Sequence, residues 1–87
     1  MRLDKFLKIS LIFKTRSSAE KSIEDNEILL NGKIAKPSSN IKEGDILTIK
    51  FPFKTVTYKI LKIEEKNISK SEAKKMYEIL KEEKNEL

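Results

Sequence analysis

Asn31-Gly32, set between two short strand-like runs at 28–30 and 33–35, commits the middle of this chain to a tight β-hairpin. Both central positions of such a turn need positive φ, which asparagine and glycine tolerate and most residues resist. The segment N-terminal to the hairpin reads as helix. Leu3, Phe6, Leu7 and Leu11 recur near helical spacing, with Arg2, Lys5 and Lys8 off that apolar stripe, which predicts a first helix of two or three turns. Ser17 and Glu20 have the spacing of a capping box and predict the start of a second helix, with Ala19 and Ile23 on one face and Asn26 as its stop. The segment C-terminal to the hairpin reads first as strand. After a loop at 37–40 and a turn at Glu43-Gly44-Asp45, the runs 46–51 and 56–63 are rich in β-branched and apolar residues. Ser69 and Glu72 form a second capping-box pair, and Ala73, Met76, Tyr77 and Leu80 continue it as a helical stripe. The expected fold class is therefore α+β: two N-terminal helices packed on a small antiparallel sheet over residues 1–63, plus a C-terminal helix in an extension over 64–87, with fraying expected over 82–87.

The charge is unevenly distributed along this frame. Of 19 basic residues, all but Arg2 and Arg16 are lysine. Residues 1–16 carry a balance of +4, 17–28 of −3, 29–62 of +5 and 63–87 of −1, which sums to the net +5 of the chain. Two basic segments separated by an acidic one predict a positive face built from the N-terminus and the middle of the chain, as a polyanion binder requires. The arginines are the informative members, because a planar guanidinium fork matches phosphate and base edges in a way that an ammonium does not. Arg16 lies just before the predicted second helix, where Lys14, Arg16 and the helix start are expected to converge on one phosphate. Asp4, acidic among basic neighbours, is expected to orient Arg16 or Lys14, and the alternative reading pairs an arginine with Asp4 to pin two helices together. Phe51, Phe53 and Tyr58 stand at strand spacing and read as core, not as stacking platforms.

With 87 residues and 38% hydrophobic content, the chain suits a small domain without an elaborate catalytic cavity. It contains neither cysteine nor histidine, which removes thiolate chemistry, disulfides and the commonest general base and metal ligands. An enzyme is not expected, nor a cofactor or metal. No apolar run approaches a bilayer span, so the expected location is the cytoplasm, away from membranes.

The stretches Arg2-Leu3-Asp4-Lys5-Phe6-Leu7-Lys8, Lys14-Thr15-Arg16-Ser17 with Ala19, Asn31-Gly32, Ala35-Lys36-Pro37-Ser38 and Gly44-Asp45 resemble the RNA-binding domain named after small-subunit ribosomal protein S4. The end of the chain, from Met76 to Lys84, is similar to the tail of the RqcP-type proteins of bacterial ribosome-associated quality control. The resemblance implies binding to large-subunit rRNA and peptidyl-tRNA after a stalled ribosome has split, supporting RqcH in C-terminal alanine tailing; a monomer is expected. Carried over by position, it implies Arg2, Lys14 and Arg16 as nucleic-acid contacts, with Lys5, Lys8, Lys33 and Lys36 as secondary ones. The chain departs from that family at Leu11 and Thr15, where basic residues are common. Two other readings stay open: a heat-shock-type ribosome-recycling protein carrying the same module, and a protein–protein adaptor whose charge is incidental. If the guanidinium geometry matters beyond its charge, Arg16→Lys weakens RNA binding more than Lys62→Ala does, as measured by filter binding. Equal losses would indicate diffuse electrostatics.

Overall fold

The protein's structure is a computed structural model that describes residues 1–66 and 68–85. Helix α1 spans Leu3–Ile9 and buries Leu3, Phe6, Leu7 and Ile9. The side chain of Arg2, at the cap position, makes no capping bond; instead the Leu3 and Asp4 N–H groups donate to the carbonyls of Ser39 (2.8 Å) and Pro37 (3.2 Å). A distant loop thus satisfies amides that a helix start leaves open. The helix is turned away by Leu11, which sits in the left-handed region at φ 62°.

Helix α2 spans Arg16–Glu24. Its cap is Thr15, whose Oγ1 accepts from the Ser18 N–H at 3.0 Å, so the expected cap at Ser17 is displaced by two residues and Arg16 becomes the first helical residue. Threonine and serine are both competent caps, and spacing to a glutamate alone selected the wrong one. Asn26 follows the helix at φ 60°, in the stopping position anticipated for it.

Strands β1 (Ile28–Leu30) and β2 (Lys33–Ile34) form the hairpin, with Asn31 at φ 52° and Gly32 at φ 82°. The Asn31 side chain also reaches the next turn: its Oδ1 accepts from the Ile46 N–H (2.9 Å) and its Nδ2 donates to buried Asp45 (3.1 Å). Strands β3 (Ile46–Lys50), β4 (Lys54–Ile60) and β5 (Tyr77–Lys84) complete an antiparallel sheet in the order β2-β1-β3-β4-β5. Alternation puts Leu47 and Ile49 of β3 with Val56, Tyr58 and Ile60 of β4 into the core, against Phe6, Leu7, Ala19 and Ile23 of the helices. Each fully buried large side chain there contributes about 1.5–3 kcal/mol. Burial also pushes the Tyr58 phenol up to about 12, with Tyr77 and Glu82 adding to the effect.

The α+β class and the helix pair on an antiparallel sheet are as expected, while the C-terminal helix is much shorter than its stripe implied. Helix α3 covers only Lys70–Ala73, capped by Ser69, and a 3₁₀ turn over Lys74–Met76 comes next. Tyr77–Lys84 is strand. Its lysines and glutamates favour helix intrinsically, but β4 offers a row of open backbone groups, and pairing with them outweighs propensity. The expected fraying of 82–87 fails over its first part, because Glu82, Glu83 and Lys84 pair with β4. Asn85 then donates to the carbonyls of Phe51 (2.8 Å) and Phe53 (3.0 Å). Residues 86–87 lie outside the described residues. Phe53 is a further correction, since it stands 76% exposed beyond the end of β3 instead of in the core. Phe51 does pack, half-buried, with ring centroids 5.9 Å from Phe13.

Met76 is fully buried, and its carbonyl accepts from Leu61 and Lys62. Met76→Ala is therefore expected to lower the unfolding free energy by about 2–5 kcal/mol in a single urea transition. A loss below about 1 kcal/mol would show that residues beyond β4 are not part of the cooperative core.

Candidate nucleic-acid interface

Helix α1 brings Asp4 fully inside, and a buried carboxylate demands partners. Three groups supply them. Arg2, immediately before α1, donates through Nε and Nη2 to the two carboxylate oxygens, both at 3.2 Å. Arg16, the first residue of α2, donates through Nη2 at 3.2 Å, and the Lys5 N–H adds a bond of 2.8 Å. Asp4 is thus bonded to both arginines, which pins the starts of the two helices together. The guanidinium groups are not consumed by this arrangement: their side chains remain 52% and 46% exposed, against 0% for Asp4. Each fork is held on one side by the carboxylate and keeps further N–H donors for a ligand.

Arg16 opens into a cleft of about 460 Å³ lined with Lys5, Lys8, Ile9, Glu65 and Lys66. Lys5 is engaged with Glu65 at 3.1 Å, an exposed pair worth little and easily exchanged for a phosphate. Lys8 and Lys66 have no acidic partner among the described residues. Of the residues singled out from sequence, Lys5, Lys8 and Arg16 line this cleft, and Asp4 ties Arg2 to Arg16 beside it. Lys14 does not join them; it lines a separate cleft with Lys70 and Lys74, so the expected convergence of Lys14 and Arg16 on one phosphate is not built. Lys36 stands next to the loop that caps α1, its N–H bonded to Ser39 Oγ at 2.9 Å, and Lys33 is exposed on edge strand β2 in neither cleft.

Glu65, Lys66, Lys70 and Lys74 were invisible to segment-wise charge counting, because their stretch balances to −1. The available signal was the four-residue spacing of Lys70 and Lys74, which places two cations on one face of a helical turn.

A helix pair displaying arginines at its start, set on an antiparallel sheet, defines an S4-type domain, and the S4 domain model matches residues 1–47. The similarity to individual proteins runs further. A Listeria innocua protein named RQC P-site tRNA stabilizing factor is 49% identical over 86 residues, covering 99% of this chain and 92% of that one. Its Bacillus subtilis namesake is 46% identical over 84 residues, covering 97% and 96%. Among solved structures, trimeric Heat Shock Protein 15 of Vibrio cholerae superposes with a TM-score of 0.85 at 33% identity, covering 91% of this chain and 80% of that one. The chain belongs to the S4-domain family of RQC P-site tRNA stabilizing factors.

The shared carboxylate predicts redundancy. Arg2→Ala or Arg16→Ala alone leaves Asp4 with one guanidinium partner and is expected to keep the fold, whereas the double variant strands a buried charge and loses about 3–5 kcal/mol in urea unfolding. A double variant as stable as the single ones would mean that Asp4 does not depend on the arginines.

Proposed function

We propose that this protein is a non-catalytic RNA-binding factor of ribosome-associated quality control that holds P-site tRNA on the large ribosomal subunit. The observation that carries the reading is the Arg2–Asp4–Arg16 cluster, two half-exposed guanidinium groups preset by one buried carboxylate beside Lys5 and Lys8. Such a surface grips folded RNA by its phosphate geometry: the lysines supply attraction and the forks fix orientation, without reading bases. The names of the relatives, RQC P-site tRNA stabilizing factor, support the same assignment. RqcH is the expected protein partner, the stalled large subunit with peptidyl-tRNA is the site of action, and alanine tailing is the process served. The cytoplasm is the corresponding location; among the described residues no helix is long and apolar enough to cross a membrane.

We place Lys14, Lys33 and Lys36 as peripheral contacts that extend the cationic surface. The working form is a monomer. Edge strand β5 carries Glu78, Lys81, Glu82, Glu83 and Lys84 and is interrupted by an irregularity opposite Thr57/Tyr58, features that discourage pairing with another copy.

Co-sedimentation with large subunits bearing peptidyl-tRNA tests the assignment. Arg2→Ala and Arg16→Ala are each expected to abolish pelleting at physiological salt. With about four phosphate contacts, wild-type affinity falls about a hundredfold between 50 and 200 mM salt. Unchanged pelleting of both variants, or affinity indifferent to salt, would instead favour an adaptor with an apolar interface.

A further inference from the structure

A second cleft, of about 330 Å³, lies between the turn after α1 and the segment leading from α3 into β5. Its lining divides by chemistry. Leu11 and Tyr77, over buried Ala73, provide an apolar and aromatic floor, while Lys14, Lys70 and Lys74 provide three ammonium groups, and among the described residues no carboxylate lines it. None of these lysines has an acidic partner among the described residues. The lysine-bearing turn is anchored, since Ala73 and Met76 within it are fully buried. Leu11 is unusual twice over: it holds the left-handed conformation at φ 62°, which is costly for a branched side chain, and it remains 41% exposed instead of joining the core.

We propose that this cleft receives one unpaired nucleotide of the bound RNA, with its base against Tyr77 and Leu11 and its flanking phosphates on Lys14, Lys70 and Lys74. The proposal rests on the RNA-binding reading and extends its footprint to a site that the arginine cluster does not reach. A flat π-face beside a string of anions is the ligand that an aromatic floor with a cationic rim fits, and single-stranded recognition is built from that combination. A paired helix would offer the phosphates but leave the floor unused. The volume lies at the low end of small-ligand sites, which suits a single nucleotide. Lys14 is two residues from Arg16, so one RNA backbone tracking the α1–α2 turn meets both surfaces.

Titration of the isotope-labelled protein with two RNA hairpins, identical except for one bulged adenosine, tests this by amide NMR. Signals of Leu11, Ala73 and Tyr77 are expected to move with the bulged hairpin only, while those of Arg2, Asp4 and Arg16 move with both. Tyr77→Leu and Lys74→Ala each weaken the bulged hairpin about tenfold and leave the paired one unchanged. Tyr77→Phe, which keeps the ring, retains wild-type binding, and the unchanged affinity of Tyr77→Leu for the paired hairpin shows that its loss with the bulged one is not misfolding. Equal responses to the two hairpins overturn the nucleotide site while leaving the arginine face standing. Silence at Arg2 and Arg16 with either RNA rejects the RNA-binding reading and the cleft together. A glutamate-rich peptide that moves the cleft signals at lower concentration than the bulged hairpin overturns the proposal in favour of a protein ligand.

Discussion

A single buried carboxylate organises the two-helix end of this molecule. Asp4 has no contact with solvent, and an unpaired charge in that position would be prohibitive, so the fold is obliged to bring cationic partners to it. The partners come from two different helices, at Arg2 and Arg16. Satisfying one side chain thereby sets the relative placement of α1 and α2 and the direction in which two guanidinium groups face the solvent. Because the forks are already immobilised, a phosphate that docks on them meets little further ordering cost. The loop from Pro37 to Ser39 reinforces this by accepting from the first amides of α1, which ties the arginine-bearing end of the helix to the hairpin side of the sheet.

The C-terminal segment contributes more to this surface than its place at the end of the chain implies. The S4 domain model stops at residue 47, just inside β3, yet similarity to the Listeria and Bacillus proteins continues over nearly the whole chain. Beyond β4, Glu65 and Lys66 close one wall of the arginine cleft, and Lys70, Lys74 and Tyr77 close the other cleft. Pairing of β5 with β4 and the hold of Asn85 on the β3–β4 turn keep these residues in place.

Legibility in the sequence tracked the strength of local constraints. Asn31-Gly32 specified its turn because few other pairs accept two positive φ values, and the arginines stood out against a lysine background. The α1 stripe was legible because its period matched a single buried face. The last strand was not, because Ala73, Met76, Tyr77 and Leu80 satisfy a helical period while the decisive fact, an unpaired edge on β4, lies some twenty residues away in sequence. The separation of Lys14 from Arg16 was hidden for a related reason. It depends on the cap: Thr15 is extended (φ −131°, ψ 155°) and starts α2 at Arg16, whereas the sequence had pointed to Ser17 as the cap.

The sheet order carries a consequence for biosynthesis. Strand β4 is flanked by β3, made just before it, and by β5, made last. Until Tyr77–Lys84 has been translated, one side of β4 has no neighbour, and Tyr58 lacks the ring of Tyr77 that stands 5.2 Å from it. A copy truncated by a translational stall after β4 would carry a sticky, half-finished sheet, with the open side of β4 ready to pair with another chain.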